Sequence, residues 1–212
     1  MQNKVSRGKM IKAVIIDCDQ VLTANTKQNI CRELAAQNEK DIDEIYPVMR
    51  KLWRTYRRQE ITEDQFIEQF INEAGLNGTS VEEIKKMRKL FQIVHPEVKQ
   101  WLQAHHSNML LFIASNYGKE WSQYLRKEHN LDDLFTGYFW SWEMKTEKPS
   151  KTFFEKIIAK LAEHNIKPEE AVFIDDYEEN TKAATENGFN IITFQDIEQL
   201  EKAYQKLLVE TA

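Results

Sequence analysis

Glycine and proline are scarce in this chain of 212 residues, six and four respectively, which argues against a turn-rich all-β architecture and against low-complexity classes. Cysteine is scarcer still. Cys18 and Cys31 fall in no metal-ligand spacing and make no disulfide framework, so no zinc site is expected and a reducing, cytoplasmic compartment is. Long apolar runs are missing too. Ala13 to Ile16 and Met109 to Ala114 fall far short of the roughly 18 to 20 residues needed to cross a bilayer, so no membrane is expected as a partner. The segment Gln2 to Lys9 lacks the apolar centre of a signal peptide. Met10 stands just before the first apolar run, and residues 1–9 read as a loose tail or an expression remnant.

What is present is an ordinary globular composition. Hydrophobic residues make up 42%, enough for one substantial core and a small accessory unit, and abundant Lys, Glu, Gln, Leu and Ala lean towards helix. The net charge of −5 is modest and the signs are interleaved, which indicates a solvated surface and no nucleic-acid partner. One segment, Met49 to Arg58, mixes Arg50, Lys51, Arg54, Arg57 and Arg58 with Trp53 and Tyr56. It reads as a helix with a basic face in preference to a nucleic-acid site.

Four short aliphatic runs have the pattern of strands buried on both faces of a parallel sheet: Ile11 to Ile16, Met109 to Ala114, Ala171 to Ile174 and Asn190 to Phe194. Helical patterns lie between and after them, at about Lys119 to Glu128, Ser150 to His164, Glu178 to Glu186 and Ile197 to Val209. The alternation predicts an α/β fold with a Rossmann-like, doubly wound, mainly parallel sheet. From about Asn25 to His95 the alternation stops, and successive amphipathic patterns predict an all-helical insert. The expected division is therefore 1–23 plus 96–212 as the core domain and 24–95 as a helical cap domain. Thr62 and Gln65 form a capping box and Gly75 a left-handed stop around one predicted helix. Trp140 and Trp142 are expected on a further strand near the sheet edge, as packing residues or as a wall of the site beside Glu143.

In an open α/β sheet ligands bind outside the carboxyl ends of the strands, so the residues after each run carry the information. The first run ends in Asp17-Cys18-Asp19, the second in Ser115-Asn116, and the run Ala171 to Ile174 in Asp175-Asp176. Lys148-Pro149 precedes the helix at Ser150. Carboxylates two apart at a strand end point to the same side, and their repulsion is relieved by a divalent cation with oxygen ligands, as Mg²⁺ prefers. Asp176, and secondarily Asp175, would complete the acidic site. Ser115, the backbone N–H groups after it and Lys148 make a place for a phosphoryl group. Each signal alone is weak; four in this order are not.

The ordered set resembles the four motifs of the haloacid dehalogenase superfamily, with Ile15 to Thr23 similar to the first, Phe112 to Asn116 to the second, Glu147-Lys148-Pro149 to the third and Phe173 to Asn180 to the fourth. The resemblance implies a Mg²⁺-dependent phosphatase acting on a small phosphorylated molecule, a sugar phosphate among the expected classes. Asp17 would be the nucleophile, and Asp19 the acid that protonates the leaving group and the base that later activates water. Ser115 and Asn116 would bind phosphoryl oxygens, and Lys148 would hold nucleophile and phosphate together. Asp17, the backbone carbonyl of Asp19 and Asp176 would bind the metal, with Asp175 the lesser candidate and Asn180 in support. The helical insert is similar to the family's small cap, where Arg58-Gln59-Glu60-Ile61-Thr62 matches an Arg-x-x-Ile-Ser/Thr stretch. Arg58 is therefore a candidate substrate contact, and Arg57, Trp53 and Tyr56 either face the substrate with it or pack between cap helices.

Two positions depart from the family pattern, Gln20 and Lys145, each where relatives usually carry glycine. Neither removes a catalytic group. Cys18 reads as a small core hydrophobe, and the five histidines as surface or helix-end residues. A dehalogenase would need neither Asp19 nor Asp176. A phosphomutase or a non-catalytic sensor of phosphorylated metabolites remains an alternative reading, and the oligomeric state is open.

Overall fold

The structure is a computed structural model and describes residues 10–210; the expectation for residues 1–9 lies outside them. Five parallel strands form one sheet: β1 (Ala13–Ile16), β2 (Leu110–Ser115), β3 (Gly137–Trp140), β4 (Ala171–Asp175) and β5 (Asn190–Thr193). Their order is β3-β2-β1-β4-β5, so the first strand is central. All four of its residues are buried, as an unbroken Ala-Val-Ile-Ile run requires when helices cover both faces.

The two-residue period of a strand divides the core into two layers. Val14, Ile16, Leu111, Ile113, Val172 and Ile174 point into one cluster, while Ala13, Ile15, Phe112, Ala114 and Phe173 point into the other, where Phe153, Phe154, Ile157 and Leu161 meet them. These last four lie on α8 (Lys151–Glu163) at helical spacing. Each such side chain contributes about 1.5–3 kcal/mol when fully buried.

Four helices in succession occupy the stretch between β1 and the helix that precedes β2: α1 (Thr26–Gln37), α2 (Ile42–Tyr56), α3 (Glu63–Ala74) and α4 (Val81–Phe91). Their ends are written in the sequence. Asn25, Asp41, Thr62 and Ser80 each accept a backbone N–H of the first turn, the last three in capping boxes with Glu44, Gln65 and Glu83. Gly75 closes α3 at φ +61°. The chain enters and leaves this insert through two adjacent segments, joined by Ala24 N–H to Ile93 O at 3.1 Å and His95 N–H to Leu22 O at 2.9 Å.

The insert packs on α6 (Lys119–Glu128) and the loop before it through aromatic rings. Trp53 of α2 meets Trp121 of α6 at 4.7 Å and Tyr117 at 5.6 Å, both edge to face. Tyr56 stacks on Phe66 at 4.9 Å and lies over Gly118, where an added Cβ would stand 2.1 Å from Tyr56 Cε1.

One expectation changes. Trp140 ends the edge strand β3 as expected, but Trp142 belongs to the short helix α7 (Ser141–Met144), where its indole N–H donates to Ser122 Oγ at 3.0 Å. Strand pairing stops at Trp140, opposite Ser115, and the chain turns into a helix there. The histidines behave as read: His95 caps α5 (Pro96–His105), His105 and His106 end it, and His129 and His164 terminate α6 and α8. Among the described residues no helix is long and apolar enough to cross a membrane.

Candidate active site

Two adjacent strands, β1 and β4, deliver the acidic groups from their carboxyl ends, and β2 beside them ends in Ser115. Asp17 follows β1 and continues its ladder, its N–H donating to Ile174 O at 2.8 Å. Asp175 closes β4 and Asp176 follows it. One oxygen from each of these three carboxylates lies within 4.8 Å of the others.

A single buried cation threads this cluster. Lys148 Nζ lies 2.9 Å from Asp17 Oδ1 and 2.5 Å from Asp175 Oδ2, with only 3% of the residue exposed. Burial alone would lower its pKa, but Asp17 and Asp175 outweigh it and hold the ammonium above its ordinary value. Asn116 fixes this lysine by its main chain: the carboxamide donates to Lys148 O and accepts from Lys148 N–H, each at 2.8 Å. The side-chain amide of Asn116, an expected phosphate contact, thereby positions Lys148. Ser115, 2% exposed at the end of β2, lines the cleft, and its hydroxyl has no partner among the described residues.

The doubled acid divides into two roles. Asp175 is fully buried and saturated: Oδ2 takes Lys148, and Oδ1 accepts Tyr177 N–H and Asn180 Nδ2, both at 2.9 Å. Asp176 lines the cleft with one contact, from Gln20 Nε2 at 3.2 Å. Burial, then Asp17 and Asp175, push its pKa up to about 7. Three carboxylates against one lysine leave negative charge unbalanced, a donor set suited to a hard divalent cation with oxygen ligands.

Asp19 turns away from that cluster. Its carboxylate is ion-paired with Lys27, which comes from the first turn of α1 and lies over the Trp53 ring at 4.7 Å. Burial raises the Asp19 pKa, Lys27 lowers it in part, and the net direction is upward. No sequence signal marked Lys27. Cys18, between the two aspartates, is buried on the opposite side, and burial with Asp17 and Asp19 raises its thiol well above the ordinary value, as a core residue requires.

The helical insert forms the other wall of a cleft of about 650 Å³. Tyr46, Arg50, Trp53, Arg54, Arg57 and Arg58 line it. Arg57 and Arg58 both bind Glu147, at 2.9 and 2.6 Å, one residue before Lys148. Burial would raise Glu147, but Arg58 and Arg57 prevail and hold it below the usual carboxylate range. Tyr56, for which both substrate contact and packing were open, is buried with its hydroxyl donating to Glu120 at 2.8 Å. It falls on the opposite stripe of α2 from Arg50 and Arg54. Arg50 and Tyr46 were not singled out as site residues, although the basic run containing Arg50 was.

A sequence profile of the haloacid dehalogenase-like hydrolases matches residues 11–188. The chain belongs to that family. No curated protein sequence matches it. Among solved structures, this haloacid dehalogenase-like hydrolase is similar to a HAD family enzyme of Bacteroides thetaiotaomicron, at 23% identity and a TM-score of 0.71 over 88% of this chain and 95% of that one. The same enzyme has been solved in complex with magnesium and inorganic phosphate, at 23% identity, TM-score 0.68 and coverage of 87% and 94%. A predicted HAD-like family hydrolase from Porphyromonas gingivalis is similar at 22% identity and TM-score 0.72, covering 94% and 98%. The fold of the family is common to these chains, and the motif residues of this hydrolase converge at its strand ends.

Proposed function

We propose that this hydrolase is a Mg²⁺-dependent phosphatase that cleaves a small phosphomonoester through an aspartyl-phosphate. The observation that carries the reading is the Asp17–Lys148–Asp175 ion triad with Asp176 left facing the cleft. A dehalogenase has no use for Asp19 or for an open second carboxylate, and the magnesium and phosphate bound by the Bacteroides enzyme support the same choice.

On this reading Asp17 attacks phosphorus and the ester P–O bond breaks, its electron pair leaving with the alcohol oxygen. Asp19 gives that oxygen a proton. Asp19, now a carboxylate, removes a proton from water, whose oxygen attacks phosphorus and frees Asp17 as inorganic phosphate departs. Lys148 balances charge beside the nucleophile, and Ser115 offers its hydroxyl to a phosphoryl oxygen. Asp17 and Asp176 would hold Mg²⁺, with the Asp19 carbonyl as a further ligand and Asp175 orienting the group through Lys148 and Asn180. Bound there, the ion supplies a hard positive charge against the phosphoryl oxygens. The four insert helices serve as the cap that closes over the ester.

The test is release of phosphate from p-nitrophenyl phosphate with and without Mg²⁺. Turnover is expected only with metal, absent in Asp17→Asn and reduced by about 10²- to 10⁴-fold in Asp19→Asn. Metal-independent turnover, or turnover that survives Asp17→Asn, would remove the reading.

A further inference from the structure

The basic run that the sequence displays at Met49 to Arg58 has a destination. On α2, Ile45, Met49, Leu52 and Tyr56 are buried, while Tyr46, Arg50 and Arg54 line the cleft and the buried Trp53 shows it one edge. The two sets lie at helical spacing on different faces. The cleft-facing arginines are not alike. Arg57 and Arg58 are matched by Glu147, as Lys27 is by Asp19 and Lys148 by Asp17 and Asp175. Arg50 and Arg54 have no ion pair or hydrogen bond among the described residues.

Two like charges at i and i+4 on an exposed helix face repel, and an anionic partner for either would relieve that. Lys51, on another face of the same helix, has such a partner in Glu73 at 2.8 Å. The transferring phosphoryl group does not require Arg50 and Arg54, because Lys148, Ser115 and the metal carboxylates already serve it from the opposite wall. A cleft of about 650 Å³ exceeds the needs of one phosphoryl group and suits a small molecule. Guanidinium groups recognise carboxylates and phosphates through paired N–H donors.

We propose that Arg50 and Arg54 form a second anion subsite, so that the substrate is a small phosphomonoester bearing another negative group, a carboxylate or a second phosphate. The inference rests on the phosphatase reading only for where the transferring phosphoryl group sits.

Two matched pairs test it: glycerol 3-phosphate against 3-phosphoglycerate for a carboxylate, and fructose 6-phosphate against fructose 1,6-bisphosphate for a phosphate. The expected result is a preference of about tenfold or more in kcat/KM, expressed mainly in KM, for the doubly anionic member of at least one pair; which pair shows it identifies the anion. Arg50→Gln/Arg54→Gln should lower that preference about tenfold, and Lys51→Gln should preserve it. Equal use of both members in each pair, or a preference that survives the double variant, overturns the subsite. If no phosphate ester, p-nitrophenyl phosphate included, is hydrolysed, the phosphatase reading has failed separately. Calorimetric binding of the same pairs with Mg²⁺ then decides: tighter binding of the doubly anionic member that the double variant loses supports the subsite, and equal binding refutes it.

Discussion

Lys27 of the helical insert is ion-paired with Asp19 of the strand-end loop, the two side chains only 10% and 16% exposed. The pair joins the two parts of the chain across the cleft. It also places a fixed positive charge on the carboxyl group proposed to shuttle the proton. Burial raises Asp19 and Lys27 opposes it, so Lys27→Met should raise Asp19 further. In the kcat/KM profile with p-nitrophenyl phosphate, the limb carried by Asp19 should then move to higher pH. A carboxyl whose folded pKa is raised favours the folded state at low pH, and that contribution fades as pH climbs through the folded value. The variant should therefore lose about 3–5 kcal/mol at pH 8 and less at pH 5 in urea denaturation. A limb that stays in place would show that Lys27 does not govern Asp19.

Lys148→Met would leave the Asp17, Asp175 and Asp176 oxygens within 4.8 Å of one another with no buried cation between them. Breaking such a pair costs about 3–5 kcal/mol. Turnover should vanish, and Mg²⁺ should raise the Tm more for the variant than for the parent chain, since the ion then supplies the positive charge that Lys148 gave these carboxylates. An equal Mg²⁺ shift in both proteins would argue against metal at these carboxylates.

Gly118→Ala should force the Tyr56 ring away, because the new Cβ would begin 2.1 Å from Cε1. The ring is held by its stack on Phe66 and its bond to Glu120, so the strain has little outlet. A loss of about 1–3 kcal/mol is expected. Tyr56→Leu in the same chain should recover part of it, read as a positive coupling in a double-mutant cycle. Simple additivity would mean that the contact is not the cause.

Gln20 holds φ at +68° and Lys145 at +53°, the two positions where relatives usually carry glycine. A side chain in the left-handed region costs about 1–2 kcal/mol, against about 0.5–1 kcal/mol for the added freedom of glycine when unfolded. Gln20→Gly should thus gain about 0.5–1 kcal/mol in urea midpoint. A net loss would show that the 3.2 Å contact from Gln20 to Asp176 outweighs the backbone strain.

The amino-acid sequence determined the sheet and the acidic end of the site, because both are local patterns. Unbroken aliphatic runs can be satisfied only between covering layers, and the polar residues that end them must then emerge at one edge. Asp17, Ser115 and Asp176 were legible for that reason, as was the capping box at Thr62. A helical period, by contrast, shows that residues share a face but not what the face meets. Only the tertiary structure decided that Arg50 and Arg54 look into the cleft while Tyr56 packs against Gly118, and that Asn116 spends its carboxamide on Lys148. The Lys27 to Asp19 pair belongs to the same class, since its geometry arises where the insert docks on the sheet, and no spacing along the chain encodes that docking.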